Sequence, residues 1–332
     1  MPDIITHYIF GLDTAHHLKE SSLYPIIKEH KELFYIGLMG PDPFYFNRLG
    51  KKDSAHTIGV RMHNEKTGDF LMSALCYVKK LPPTSDEFGE CLSYLSGFMC
   101  HYILDSMAHP YIFFLSGRYI PGLAETDKYK GLHKKIELAI DSILCDERFN
   151  VKSSSFKIND NILKDIKIPN SIEQLLDNSI FLLYGIHNAG ATFTSSYHHA
   201  RTYYKTTYDR MGAKKAFVNI VTPLTPKSIS PFLDAFSYYN CVNPDYDYMN
   251  KKRNVWLHPV TGNVYTFTFY DILRNANKKS VSLLLATYSF ITGSMSSDDY
   301  RVYLPNISYL TGLDTSDTRP IKYISTDYIN IY

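Results

Sequence analysis

Residues 100–111 read Cys-His-Tyr-Ile-Leu-Asp-Ser-Met-Ala-His-Pro-Tyr, and this stretch decides the fold prediction. His101, Asp105 and His109 are four residues apart, and on an α-helix each such step rotates the side chain by only about 40°. The three polar side chains therefore point to one side of one helix. They lie along the margin of an apolar stripe between Leu92 and Ile103, as expected where a helix lines a cleft.

The next predicted helix repeats this spacing. His133 and Glu137 are four residues apart and border a stripe of Leu132, Ile136 and Ile140. A single pair of this kind on a helix is commonly a hydrogen-bonded pair or a surface feature. Its meaning therefore depends on the residues that accompany it.

More imidazole and carboxylate side chains lie upstream. His7 is in the first predicted helix, Asp42 stands between two prolines, and His56 and His63 are in the second predicted helix. Imidazole nitrogens and carboxylate oxygens without a thiolate suit zinc in catalytic sites, where an open coordination position holds water or substrate.

Apolar periodicity and capping residues predict further helices around this stretch, and strand signals are sparse. A capping box at Thr84 and Glu87 begins the central helix, and Pro110 is expected to end it. The predicted helices cover about residues 3–19, 54–80, 84–109, 127–145, 172–187, 189–208 and 278–291, with a linker at 150–170 and irregular aromatic chain at 238–268. The sequence thus predicts an all-α, multi-helix fold. Residues 1–150 form the metal-binding helical core, and residues 151–332 continue the same domain and contain the irregular C-terminal segment.

The amino-acid composition argues against several classes of protein. The 332 residues carry 35 Lys+Arg against 33 Asp+Glu, so the net charge of +2 gives no general attraction to nucleic acid, and no nucleic-acid partner is expected. Five cysteines without a Cys-x-x-Cys spacing argue against a disulfide framework. No secretory signal and no apolar run of about 18 residues is evident. These features predict a cytoplasmic protein without a transmembrane segment, and they leave its oligomeric state open.

Four stretches of the first half resemble the zinc-dependent phospholipase C family. They are Met-Pro-Asp-Ile-Ile-Thr-His-Tyr-Ile-Phe-Gly at 1–11, Gly-Pro-Asp-Pro-Phe at 40–44, Met-His-Asn-Glu-Lys-Thr-Gly-Asp-Phe at 62–70, and residues 100–111. The best-known members are secreted bacterial phospholipases, and fungal single-strand nucleases share the fold and the metal cluster. The resemblance implies an all-α fold that holds up to three zinc ions. With it, the combined pattern favours a multinuclear metal site over isolated hydrogen-bonded pairs.

The resemblance also implies the ligands of each zinc ion. They are Asp42, His63, His101 and Asp105 for the first, His109, His133 and Glu137 for the second, and His7 and Asp105 for the third. Two zinc ions are expected. The third site stays open, because the secreted enzymes complete it with a processed N-terminal Trp, whereas Pro2, Asp3 or water would have to do so here. His56 remains an alternative to His63.

By the same resemblance, we expect a phosphoric ester hydrolase of phospholipase C type, in which a zinc-activated water attacks a phosphodiester. Asp42 is the catalytic candidate that orients or deprotonates this water. The substrate is a phosphate ester, with phospholipid among the candidates. The alternatives are a nuclease or nucleotide phosphatase on the same cluster, and a non-catalytic metal-stabilised scaffold. The aromatic residues 44–46 could line the site, although packing in the core is the favoured interpretation.

Overall fold

The computed structural model describes residues 3–50, 54–221, 238–239 and 241–328. Within these ranges the chain is predominantly helical, which confirms the all-α prediction. The α-helices are α1 Ile4–His17, α2 Tyr24–Glu29, α3 Lys31–Gly37, α4 Ser54–Asn64, α5 Thr67–Val78, α6 Asp86–Ser116, α7 Leu132–Phe149, α8 Ile158–Asn161, α9 Asn170–Tyr184, α10 Ala189–Thr207, α11 Ala213–Val221, α12 Phe269–Ile291 and α13 Ser297–Arg301. Three 3₁₀ helices cover Asp42–Gly50, Ala124–Tyr129 and Ser153–Ser155.

The described strands form one short antiparallel hairpin. β1 Trp256–Leu257 pairs with β2 Val264–Tyr265, in the register Trp256 to Tyr265. The hairpin lies in the segment that the sequence predicts to be irregular and aromatic. It packs on the end of α6, where the Trp256 ring meets Tyr111 edge-on at 5.3 Å.

Helix α6 is the centre of the core. It contacts α1, α2, α3, α5, α7, α9 and α12, and nearly all of its side chains are buried. Helix α12, from the second half of the chain, packs on both α1 and α6. The boundary at residue 150 stays a prediction. None of the described helices is both long and apolar enough to cross a bilayer.

Helix α6 differs from its prediction at both ends. Its N-cap is Ser85 rather than Thr84, and the Ser85 hydroxyl accepts a hydrogen bond from the Phe88 amide. The helix also passes through Pro110 and ends at Ser116. A proline inside a helix costs about 3 kcal/mol. Two fully buried side chains that follow, Tyr111 and Ile112, offset this, because each contributes about 1.5–3 kcal/mol.

The single helix predicted at 54–80 is wrong, because the chain forms α4 and α5 with a break between them. Lys66 adopts a left-handed conformation with φ of 51° and is the N-cap of α5. The break leaves the His63 carbonyl free to accept the Tyr309 amide at 2.9 Å. It therefore admits the C-terminal segment beside α4.

Other boundaries shift without changing the order of elements. Helix α7 begins at Leu132 after a separate 3₁₀ helix, and α12 begins at Phe269, where Thr268 and Asp271 form a capping box. The predicted linker at 150–170 contains α8 and buries apolar residues, including Ile158 and Leu163. It is thus part of the packed structure.

Helices α3 and α6 pack at close range through glycine. A Cβ atom on Gly97 would be 2.1 Å from the Phe34 carbonyl oxygen, and one on Gly37 would be 2.1 Å from the Tyr94 carbonyl oxygen. This contact places the segment after α3 directly against α6. The segment contains Asp42, so the packing brings this residue near the polar face of α6.

We predict that Gly97→Ala destabilises the protein. Alanine gains about 1 kcal/mol of helix propensity, but contact with a backbone oxygen forces the helices apart at about 1–3 kcal/mol or more. Thermal and urea unfolding followed by circular dichroism measure the difference. Glu87→Ala, at an exposed position of the same helix, is the control and should change the unfolding free energy by less than about 1 kcal/mol. Equal or greater stability of Gly97→Ala would contradict the packing argument.

Candidate metal centre

The polar face of α6 is entirely buried. His101, Asp105 and His109 are each 0% exposed. Asp105 is central among them, because its Oδ2 atom is 3.2 Å from His101 Nε2 and its Oδ1 atom is 3.1 Å from His7 Nε2. Helices α1 and α6 thus meet at one carboxylate.

Backbone carbonyls fix the orientation of three imidazoles. The distances are 3.0 Å from His101 Nδ1 to the Leu38 oxygen, 2.7 Å from His63 Nδ1 to the Gly59 oxygen, and 2.7 Å from His109 Nδ1 to the Tyr309 oxygen. A carbonyl oxygen can only accept, so in each case Nδ1 carries the donating hydrogen. In the neutral ring, the lone pair of Nε2 can then bind a metal ion.

The chain between α3 and the first 3₁₀ helix brings Asp42 to this face. Gly40 has φ of 52°, and a Cβ atom there would be 2.3 Å from Cδ2 of His101. Only glycine therefore allows the backbone to pass so close to this imidazole. Two residues later, the Oδ1 atom of Asp42 is 3.2 Å from His63 Nε2.

A second set of ligand-type side chains joins α6 to α7. His133 Nε2 is 2.9 Å from Glu137 Oε1, and the rings of His109 and His133 stack with centroids 5.5 Å apart. The Ser116 hydroxyl is 3.3 Å from the other ring nitrogen of His133. Helix α7 therefore directs both of its predicted ligands toward the end of the α6 face.

The predicted site residues come together in three groups whose ligand atoms lie within 4.8 Å of one another. The groups are His7, His101 and Asp105; Asp42, His63 and His101; and His109, His133 and Glu137. His101 belongs to two of them. All eight sequence-predicted ligands are present, whereas His56 is in none of these groups and meets the Tyr45 ring edge-on at 5.3 Å.

Pro2 and Asp3 are the two residues that the sequence offers to complete a third site. Pro2 lies outside the described residues. Asp3 accepts hydrogen bonds from the hydroxyls of Tyr204 and Tyr238, at 2.9 Å each. Asp3 is in none of the three groups, and both of its carboxylate oxygens already accept hydrogen bonds.

Buried polar atoms in these groups match the requirements of a cation. In the part of the chain that the structure describes, five such atoms are buried without a hydrogen bond of acceptable geometry: His7 Nδ1, Asp42 Oδ1, His101 Nε2, Asp105 Oδ2 and His109 Nε2. Each unsatisfied buried group costs about 1–3 kcal/mol. Nitrogen and oxygen donors without thiolate suit zinc, so the residues present fit the metal.

Electrostatics favour ligand-competent protonation states for most of the cluster. Burial opposes ionisation of Asp105, but His101 and His109 hold the pKa of this carboxyl well below its usual range. Burial lowers the pKa of His109, and burial together with His101 lowers the pKa of His7. His101 differs, because the charges of Asp105 and Asp42 outweigh its burial and raise its pKa. A metal ion would compete with a proton there.

Solvent reaches the groups at two side chains. His133 has 29% of its side chain exposed and Asp42 has 12%, whereas the ligand side chains on α6 have none. The neighbouring aromatic residues pack inward: Phe44 is buried against Phe193, and the Tyr45 hydroxyl is 3.1 Å from His63 Nδ1. Core packing therefore describes Phe44, whereas the half-buried Tyr45 contacts a predicted ligand and borders the groups.

The helical fold and the buried histidine–carboxylate groups together define a class of protein, a helical protein whose side chains could hold divalent metal between its helices. A family model for zinc-dependent phospholipase C matches residues 6–189, which is more than half of the chain, and the chain belongs to this family. No curated protein and no solved structure matches the chain. The matched range includes all eight predicted ligands.

Sequence reasoning missed the groups that orient the ligands. The Leu38 and Tyr309 carbonyls carry no sequence signal, because any residue supplies a backbone oxygen. Gly59 could have been found, since it is four residues before His63 in the same helix. Tyr309 lies outside the family match, so the C-terminal segment also contributes to the site.

We predict that His63→Ala lowers the zinc content of the purified, dialysed protein by about one ion per chain, because it removes a nitrogen ligand from the group with Asp42. His56→Ala is the matched control on the same helix and should retain the wild-type content. Plasma mass spectrometry of both variants measures this. The opposite result, with zinc lost from His56→Ala and kept in His63→Ala, would contradict the assignment.

Proposed function

We propose that this protein is a zinc-dependent phosphoric ester hydrolase that cleaves a phosphodiester, as its family membership suggests. The observation that carries the proposal is the set of five buried ligand atoms without a hydrogen bond, in groups whose Asp42 and His133 side chains are partly exposed to solvent. Structural zinc sites are closed by four protein ligands, whereas catalytic sites keep a position open. Access from solvent therefore favours an enzyme over a metal-stabilised scaffold.

The proposed ligands are those that the family resemblance implies; they match the three groups except that Asp105 is added to Asp42, His63 and His101, and that His101 is left out of the set with His7. Asp42, His63, His101 and Asp105 hold the first zinc ion, and His109, His133 and Glu137 hold the second. His7 and Asp105 contribute to a third. Bound zinc supplies Lewis acidity, which polarises a phosphoryl oxygen and lowers the pKa of water toward neutrality.

Asp42 is the proposed catalytic residue. Its side chain is the most exposed of the three carboxylates in the groups. The carboxylate accepts a hydrogen bond from the attacking water, orients it toward phosphorus and receives its proton. His63 Nε2 lies 3.2 Å from Oδ1 of this carboxylate, so the two atoms could ligate the same cation.

The nuclease alternative has weaker support. The one conspicuous basic run in the sequence is Lys251-Lys252-Arg253. Two of its cations already have acidic partners: Lys251 pairs with Glu147 at 3.1 Å, and Arg253 pairs with Asp271 at 2.9 Å. The net charge of +2 adds no general attraction to a polyanion. A small phosphodiester, with phospholipid among the candidates, is therefore the proposed substrate.

We predict that the zinc-loaded protein hydrolyses p-nitrophenyl phosphocholine faster than p-nitrophenyl phosphate or single-stranded DNA. Asp42→Asn should lower this turnover by about 100- to 10,000-fold, because an amide cannot accept the proton. Asp127→Asn, at an exposed aspartate, is the matched control and should keep wild-type turnover. Absence of zinc-dependent turnover of any phosphodiester, or full activity of Asp42→Asn, would refute the proposal.

A further inference from the structure

A second cluster of buried carboxylates lies beside the metal groups. Asp141 is 0% exposed and Asp3 is 6% exposed, and neither is among the proposed ligands. Buried carboxylates are expensive unless they are hydrogen-bonded or paired. Their contacts therefore indicate what they do.

Asp141 binds the first turn of α1 from a helix more than a hundred residues away in sequence. Its Oδ2 atom accepts the Ile5 amide at 3.0 Å, and its Oδ1 atom accepts the Thr6 amide at 2.9 Å and the Thr6 hydroxyl at 2.5 Å. The first amides of a helix have no partner within the helix, and the two oxygens of Asp141 supply acceptors for two of them. Asp141 thus fastens the start of α1 to α7.

Asp3 connects the same turn to its surroundings. As the N-cap of α1 it accepts the Ile4 amide, and its Oδ2 atom is 2.8 Å from Lys134 Nζ. Lys134 Nζ is in turn 3.9 Å from Oε2 of Glu137. The first turn of α1 therefore contacts α7 at two places, at Lys134 through Asp3 and at Asp141.

The spacing on α7 repeats that on α6. His133, Glu137 and Asp141 are four residues apart and lie on one side of the helix. Two of them are proposed ligands, and the third holds the residue immediately before His7. Helix α7 thus carries ligands for one metal group and the anchor for another.

We propose that Asp141 is a positioning residue that sets the placement of α1 so that His7 reaches Asp105. This rests on the proposed function, because it assumes that the groups bind zinc. Metal–ligand distances tolerate only about 0.2 Å, so a small shift of α1 removes His7 from its group. His109, His133 and Glu137 lie on α6 and α7, and α1 contributes no ligand to their group. The effect is therefore selective for one group.

The test compares Asp141→Ala with Asp146→Ala, which alters an exposed aspartate of the same helix. Zinc per folded chain is measured by plasma mass spectrometry after gel filtration, and zinc affinity is measured by competition with a fluorescent chelator. We expect Asp141→Ala to weaken the most loosely held zinc ion by about 10- to 100-fold, as for other residues that orient ligands. Asp146→Ala should behave as wild type.

Two further variants distinguish a role of Asp141 in positioning His7 from an effect on folding stability alone. His7→Ala should lose the same zinc ion, and adding Asp141→Ala to it should cause no further loss of zinc. Thr6→Val removes only the hydroxyl donor and should weaken the same ion to a smaller extent, which keeps the test available if Asp141→Ala does not fold. Asp141→Ala or Thr6→Val with a lowered melting temperature but wild-type zinc content and affinity would overturn the inference.

The outcome also distinguishes this inference from the proposed function. If wild type binds zinc and hydrolyses the phosphodiester while Asp141→Ala retains every zinc ion, only the positioning role fails. If wild type binds no zinc, both fail.

Discussion

Asp105 imposes the central constraint on this molecule. It is a carboxylate with no exposure to water, held between the imidazoles of His7 and His101. Burying such a charge is costly unless cations or hydrogen bonds surround it. Helices α1 and α6 each contribute an imidazole that contacts this carboxylate. The same contacts therefore hold the two helices together and assemble the side chains of the candidate site.

This constraint explains features that would otherwise be unrelated. Gly40 lets the backbone pass against His101, and the glycine contacts between α3 and α6 hold the Asp42 segment in place. The break before α5 frees the His63 carbonyl for the C-terminal segment, whose Tyr309 carbonyl orients His109. Residues far apart in sequence thus converge on one buried region that could hold cations. The selective effect proposed for Asp141 follows, since α1 contributes only His7 to the groups.

The sequence predicts which side chains form the candidate site better than it predicts the groups that hold those side chains in place. Four-residue spacing is a geometric property of a helix, so it places His101, Asp105 and His109 on one face without knowledge of the fold. Pro110 misleads, because burial of the following side chains outweighs a local penalty that sequence rules treat as decisive. Lys66 misleads in the opposite sense, since its left-handed conformation interrupts an apolar pattern that the sequence continues from residue 54 to residue 80. The backbone oxygens of Leu38 and Tyr309 have no side-chain identity to read.

The most direct test of this account is the position of bound metal. Diffraction from crystals grown with zinc, recorded on both sides of the zinc absorption edge, gives an anomalous difference map. The account predicts one peak among Asp42, His63, His101 and Asp105, and another among His109, His133 and Glu137. A map without peaks at these residues, or with zinc bound only elsewhere on the molecule, would contradict it.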